Sequence, residues 1–405
     1  PMINWSGRRK TLMILLFTGP MLLGLLIFNV YPIVFSTYIS FTNRNQFRPY
    51  PDCTEIANKI IEPTCWGLSS APAGLGQPFR IREPFFANYS DLIGQFFTGA
   101  SLLNLALIVA VFVPIIIASQ VNKRLSKQLQ RPVSSGVVWL AGIVGAIAVA
   151  LLVNLGGAYR TLLNSGDFVG VILQTVLYVA IRVPLTLVLA MVLALVLNSD
   201  FIKGRAFFRV LLFVPWAASS LSILIALIWQ FFFREQGTIN QFLNAVFGFK
   251  GPAWLNLEWG AMASIVIADV WFSYPFMMII ILGALQSIPG EQYEAAEIDG
   301  ATWMQQFNAI TLPLLRPAIL PAIVLTSISA FQMFGTAYAM TAGGPIKGAG
   351  QPGFTEFVMV YAYKQVFQTQ AYGRMGAFAV IIFILLFAAT LYSLRITRIT
   401  KGAYE

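Results

Sequence analysis

Long, nearly uninterrupted runs of apolar residues constrain this chain more than any other feature. They fall at about 12 to 40, 99 to 118, 137 to 157, 167 to 198, 208 to 232, 260 to 285, 315 to 338 and 376 to 394, and they reach or approach the roughly 20 residues that a helix needs to cross a bilayer. Inside hydrocarbon there is no water to hydrogen-bond the backbone, and an α-helix satisfies its own N–H and C=O groups. With 405 residues, 58% hydrophobic and 10% charged, the composition belongs with membrane proteins and excludes a single core of soluble type. The reading is an all-α, polytopic transmembrane helical bundle of about eight spans.

Cationic residues set the orientation. Arg8, Arg9 and Lys10 precede span 1; Lys123, Arg124, Lys127 and Arg131 lie between spans 2 and 3; Lys203, Arg205 and Arg209 lie between spans 4 and 5; Arg395, Arg398 and Lys401 follow span 8. With an even number of spans this alternation puts both termini in the cytoplasm. The formal charge of +10 is then accounted for by cationic cytoplasmic loops, and no basic domain outside the membrane is large enough for nucleic-acid binding. The first apolar run is too long for a cleaved signal peptide and lacks a small-residue cleavage site, so it reads as a retained anchor.

The stretch 42–98 then lies outside, and it holds both cysteines, Cys53 and Cys65. A disulfide persists on that side of the membrane; a metal or redox pair lacks support in a chain without histidine. The Pro and Gly content of the loop (Pro51, Pro63, Pro72, Gly74, Gly76, Pro78) predicts little regular structure beyond the staple.

One segment breaks the apolar pattern of the second half: Glu294 to Pro313, EAAEIDGATWMQQFNAITLP. Ala and Glu favour helix, Gly300 permits a left-handed turn, and Phe307, Ile310 and Leu312 recur at helical spacing, so it predicts helix, turn, helix. Set on the cytoplasmic side, such an amphipathic element suits docking to a soluble partner; the alternative is an ordinary solvated loop.

Glu294-Ala295-Ala296, Asp299-Gly300-Ala301, Phe307, Ile310 and Leu312-Pro313 resemble the EAA loop of membrane subunits of bacterial binding-protein-dependent ABC importers. FFRVLLFVPW at 207–216, VWFSYPFMMIIILGALQSIP at 270–289 and TAGGP at 341–345 extend the likeness from about 167 to the C-terminus and are similar to the carbohydrate branch, in particular the larger membrane subunit of maltose importers. The resemblance implies a type I ABC importer permease fold in the inner membrane, with 1–41 as N-terminus and first span, 42–98 as a small external loop domain, 99–157 as an inserted hairpin and 158–405 as the permease core. The inserted pair, with its basic loop Val121 to Ser135, is expected on the lipid-facing side of the core.

The implied partners are a second permease subunit, two ATP-binding cassette subunits and an external solute-binding protein. The coupling loop, 286–314, would meet the ATPase, with Glu294 in contact, Gly300 at the bend, and Ala295, Ala296, Asp299 and Ala301 completing the motif. The chain has no GxxxxGK[ST] phosphate loop, and GGPIKGAG at 343–350 has the wrong spacing and reads as an external turn. It is therefore not expected to be an enzyme or to hold a cofactor or metal; ATP and Mg²⁺ would be bound by the partner.

Polar residues inside spans face a cavity or the bundle interior. By the same resemblance, Asp269, Phe272, Ser273 and Phe276 in span 6 and Thr326, Ala330 and Met333 in span 7 fall at sugar-lining positions, with Ser329 and Gln332 as polar neighbours. Ala330 and Met333 stand where the maltose subunit has amides, so maltose itself does not follow. Hydroxyl-directed groups beside aromatic faces suit a sugar, while Phe272 and Phe276 also suit plain helix packing. Pro275 can kink span 6 and free backbone groups for a cavity.

Arg182 in span 4 is the other buried charge. Counted from the outer span ends it lies roughly 18 Å deep and Asp269 roughly 10 Å, an offset that an Arg side chain can bridge. A pair with Asp269, bordering the sugar cavity or serving as a state-dependent latch, stands beside capture of backbone carbonyls ahead of Pro184. The expected cargo is a di- or oligosaccharide such as maltose or trehalose, the runner-up glycosylated polyols or glycerol phosphodiesters. An ion-gradient-driven transporter would leave the EAA loop unexplained. An intramembrane enzyme lacks histidine, paired carboxylates or a Ser/Lys dyad.

Overall fold

The structure is a computed structural model that describes residues 7–67, 76–94, 98–128, 136–199, 202–348 and 350–397. Pro72, Gly74, Arg131, Arg398 and Lys401, and the side chains of Arg8, Arg9, Lys10 and Arg395, lie outside the described residues. The chain is a multi-pass bundle of helices. Those long and apolar enough to cross a membrane begin with α1 (Leu12–Ile39) and α2 (Gly99–Gln128). A pair bent by 61° follows, α3 (Gly136–Leu152) and α4 (Leu155–Leu163). Next come α5 (Asp167–Asn198), α6 (Arg205–Phe232) and α7 (Glu258–Gln286). After a short helix α8 (Glu291–Ile298) stand α9 (Trp303–Phe331), α10 (Gly335–Thr341), α11 (Val358–Phe367) and α12 (Tyr372–Thr397). Among the described residues seven helices qualify as spans, or eight if the bent pair counts as one.

Chain contacts divide the molecule into two compact units, one joining the stretch up to Gly94 with Ala362–Ala388, the other taking in Gln95–Tyr361. In the larger unit α5, α7 and α9 form the centre. Tyr274, Met278, Ile281 and Leu285 of α7 recur at spacings of four and three, as do Leu315, Ile319 and Ala322 of α9, and they meet the small Ala190 and Ala194 of α5. Lipid removes the hydrophobic drive for helices to associate, so close packing around small residues supplies much of the attraction. The same rule serves the inserted helices. A Cβ on Gly142 of α3 would fall 2.6 Å from the Ala118 methyl of α2, so only glycine allows the two backbones to come this close.

The runs differ from uniform spans in four places. The third breaks at Asn154, whose left-handed φ of 47° and side-chain bond from the Gly157 N–H, 3.2 Å, end α3 and cap α4; Asn tolerates that backbone region better than other non-glycine residues. The basic loop expected from Val121 is helical to Gln128, because Lys, Arg and Gln are good helix formers and α2 continues past its apolar part. The fifth run bends through a 3₁₀ turn at Ala218–Leu221. The seventh ends at Phe331 rather than 338, with α10 starting afresh at Gly335. Pro275, in contrast, sits inside an uninterrupted α7.

The 42–98 loop carries more order than its Pro and Gly content predicts. Ile56–Ile61 and Ala87–Ile93 are helical, isolated bridges join Thr42 to Ile81 and Pro51 to Phe79, and Phe79 is fully buried. Buried Asn88 donates to the carbonyls of Ser40 and Thr42, 2.8 Å each, and Asp52 pairs with Arg80 at 2.7 Å. Hydrogen bonds from the Thr54 hydroxyl and N–H, with Arg80 beside them, hold the Asp52 carboxyl below the usual aspartate range. Cys53 and Cys65 are bonded, with Cα atoms 5.6 Å apart. Closing a loop of this size stabilises by about 3 kcal/mol through the unfolded state. Replacing both, Cys53→Ser with Cys65→Ser, is expected to raise the rate of proteolytic cleavage within this loop in the purified, detergent-solubilised protein, with the helical content unchanged by circular dichroism.

Candidate functional site

The EAA segment forms the helix, turn and helix that its sequence predicts. At the end of α8 the Ala301 N–H bonds to the Ala296 carbonyl, 2.9 Å, and the Gly300 N–H to the Glu297 carbonyl, 3.0 Å, with Gly300 at φ 74°. This paired arrangement closes a helix on a left-handed glycine. The Gln305 side chain then accepts from the Thr302 N–H at 2.7 Å, opening the next helix. The Tyr293 hydroxyl meets Thr311 at 2.9 Å and ties the turn to the base of α9.

No residue of α8 is buried. Glu294, Ala295, Glu297, Asp299 and Gly300 are exposed; Ala296 and Ala301 are half-buried. Beside the acidic residues stand Ile298, 87% exposed, Trp303, 63%, and Met304, 57%. Large apolar side chains left open next to charge are the composition of a docking surface.

The sugar-site candidates converge elsewhere. A cavity of about 430 Å³ is lined by Arg182 of α5, by Phe272, Ser273 and Phe276 of α7, and by Leu325, Thr326 and Ser329 of α9. Both α7 and α9 contribute residues at i, i+1 and i+4, the spacing that places side chains on one helical face. Trp216 and Ser219 complete the wall from the bend in α6. Sequence reasoning missed these two, although Pro215 followed by Ala217-Ala218-Ser219-Ser220 marks a weak point in an apolar run. Gln332 lies beyond the end of α9, exposed and away from the cavity. Ala330 is buried, and Met333 packs against the core cluster.

Asp269 lies in the protein interior, 1% exposed, behind the cavity wall. Its Oδ2 accepts from the Tyr178 hydroxyl, and the Ser273 hydroxyl donates to its backbone carbonyl at 2.5 Å. Arg182, 5% exposed, places its guanidinium 5.8 Å from the centre of the Tyr178 ring. No direct ion pair joins Arg182 to Asp269. Tyr178 is one helical turn nearer the N-terminal end of α5 than Arg182, which sets it, rather than Arg182, level with Asp269. Three atoms around it have no hydrogen-bond partner: Asp269 Oδ1, Arg182 Nε and Arg182 Nη1. Neither the direct pair nor the carbonyl capture ahead of Pro184 describes this arrangement. The two charges attract across Tyr178.

Removing one member of a buried charge pair costs roughly 3–5 kcal/mol, whereas replacing both with apolar residues is far milder. Asp269→Leu is therefore expected to lower the melting temperature of the detergent-solubilised protein strongly. Tyr178→Phe should lower it less, and Asp269→Leu combined with Arg182→Leu should recover a large part of the loss. Additive single effects in that double-mutant cycle would show that the two charges do not interact.

Comparison with known proteins places these features in a family. The family model for the binding-protein-dependent transport system inner membrane component matches residues 155–399. A maltose/maltodextrin transport system permease protein, MalF, of Vibrio vulnificus is 35% identical over 240 residues, 58% of this chain and 46% of that protein. MalF of Salmonella typhimurium is 36% identical over 236 residues, 57% of this chain and 46% of that protein. The trehalose/maltose transport system permease protein of Thermococcus litoralis is 32% identical over 237 residues, 58% of this chain and 73% of that protein. The chain thus spans about half the length of the Vibrio and Salmonella relatives. From the family match over α4 to α12 and the apolar helices that carry it, the chain belongs to the inner membrane components of binding-protein-dependent transport systems.

Proposed function

We propose that this chain is a permease subunit of an ATP-driven importer and forms, with a second permease subunit, the path for a sugar delivered by an external solute-binding protein. The single observation that carries the reading is the EAA turn: a capped helix-turn-helix with no buried residue on α8, joined by the Tyr293–Thr311 bond to a span that lines the central cavity. Such an element can transmit motion from a soluble partner to α9. One of two ATP-binding cassette subunits would dock on Glu294, Ile298 and Trp303, and the pair would bind ATP and Mg²⁺ and supply the hydrolysis. This face is then cytoplasmic, as are both termini, and the 42–98 loop and the start of α7 face outward, in keeping with the positions of Lys and Arg.

The cargo is a di- or oligosaccharide. Relatives described as maltose/maltodextrin and trehalose/maltose permeases support that class, as does a central cavity that offers four hydroxyl side chains, an indole N–H and two phenyl faces. A second reading draws on Arg182. Its unpartnered nitrogens at a cavity without a lining carboxylate favour an acceptor-rich ligand, and a glycerol phosphodiester or another anionic polyol derivative fits that chemistry.

In proteoliposomes containing the full assembly, uptake of maltose, maltotriose or trehalose is expected to require ATP, and accumulation driven by an ion gradient alone would overturn the reading. Glu294→Lys with Ile298→Asp should lower ATP-dependent uptake at least tenfold, the effect of weakening a contact by about 1.4 kcal/mol, while leaving the permease folded in the membrane. Competition by glycerophosphodiesters but not by sugars would select the second reading.

A further inference from the structure

A second space in the described structure is larger than the central cavity. About 770 Å³ opens where α4, the first turn of α7 and the 343–354 loop meet, a size that suits a small-molecule ligand. It lies at the end of the bundle assigned above to the outer face, and everything that forms it belongs to the larger unit. One wall comes from α4 and its cap, with Tyr159 and Asn164; the other carries Trp259, Phe354 and Gln351.

Three properties define what fits there. The lining alternates aromatic and amide groups: Trp259 is 54% exposed and meets Phe354 edge to face at 5.3 Å, with Asn164 and Gln351 exposed nearby. A polar atom is left over, because the Tyr159 hydroxyl is buried without a hydrogen-bond partner, a costly state unless a ligand or water meets it. The charges also nearly cancel. Arg160 and Lys347 line the space with Glu258, and the negative charges of Glu258, Glu356 and Asp167 act on Lys347, so these five groups together sum to −1. Such a surround disfavours an anionic headgroup or nucleotide, and a lipid tail would require an apolar wall. Aromatic faces beside amides suit a neutral, hydroxyl-rich ligand.

The position along α7 adds a sequence of events. Glu258 and Phe276 are separated by five helical turns, so they share a face of the helix about 27 Å apart. Between them on that face Met262, Ile265 and Asp269 are buried, and the layer is completed by Tyr178, stacked on Phe357 at 4.5 Å. The outer and central cavities thus lie on one strip of one helix, with a closed packed layer between them.

We propose that the α4–α7 cavity is a second carbohydrate-binding site, a first station where a neutral sugar rests before the Tyr178 layer opens toward the central cavity. The proposal rests on the sugar-importer reading and gives a role to α4, the last helix of the bent pair.

Cys53 and Cys65 are the only cysteines in the sequence and are bonded to each other, so Gln351→Cys introduces the one free thiol of this sequence, at the rim of this cavity, and labelling is read on this subunit alone. In proteoliposomes holding the whole importer, ATP-driven uptake of maltose, maltotriose and trehalose is read first. A sugar that is transported is then expected to slow maleimide labelling of Gln351→Cys about tenfold at ten times its dissociation constant. Trp259→Ala should abolish that protection and Trp259→Phe should keep most of it, because an aromatic face remains. Unchanged labelling in the presence of a transported sugar overturns the second site and leaves the importer reading intact. Protection by sugar-free binding protein alone would assign the cavity to a docked protein segment and overturn it too. If no sugar of the three is carried, the sugar-cargo reading falls, and this site with it.

Discussion

The bond from the Tyr178 hydroxyl to the Asp269 carboxylate is the interaction on which the centre of the larger unit depends. It crosses from α5 to α7 between residues 91 positions apart, in a region where neither side chain has access to water. Hydrocarbon gives helices little reason to associate, so a polar contact of this kind, together with close packing around Ala190 and Ala194, helps to fix which faces of α5 and α7 meet. Once that register is set, Arg182 lies beside the central cavity and Phe357 stacks on the Tyr178 ring. The same layer therefore separates the two spaces on the α7 strip.

Cavities in this bundle arise where helices stop being regular. The 3₁₀ turn at Ala218–Leu221 brings Ser219 to the central cavity, and the break at Asn154 turns α4 so that Tyr159 and Asn164 border the outer one. Irregular backbone inside a membrane is tolerated where protein or a polar cavity satisfies it. The three-residue gap between α9 and α10 has another effect: it removes Gln332 from the cavity and sets Thr336 beside Asp269.

The turn at Gly300 follows the opposite principle. Its backbone is satisfied internally by the hydrogen bonds at Ala301 and Gly300 and by the Gln305 contact to Thr302, which leaves Glu294, Glu297 and Ile298 of α8 exposed. Local satisfaction is what makes this element legible in the amino-acid sequence. Each of these three bonds joins residues at most five positions apart, so propensity and one left-handed glycine suffice to describe it.

The sequence by itself determined what depends on neighbours in the chain: membrane spans from the length of apolar runs and the helix-turn-helix from Glu294 to Pro313; its likeness to carbohydrate-importer subunits pointed to Phe272, Ser273, Phe276, Thr326 and Ser329, which one cavity brings together. It also supplied the depth offset between Arg182 and Asp269, but offered only a direct pair or carbonyl capture ahead of Pro184 because no local pattern singles out Tyr178. Only the tertiary structure decided that Tyr178 meets Asp269, that Ser219 and Trp216 reach the central cavity, and that α4 and α7 enclose a second one. The physical reason is range. Hydropathy and propensity act over a few residues along one helix, whereas a hydrogen bond between spans or a cavity between three elements exists only once packing has chosen the faces that meet.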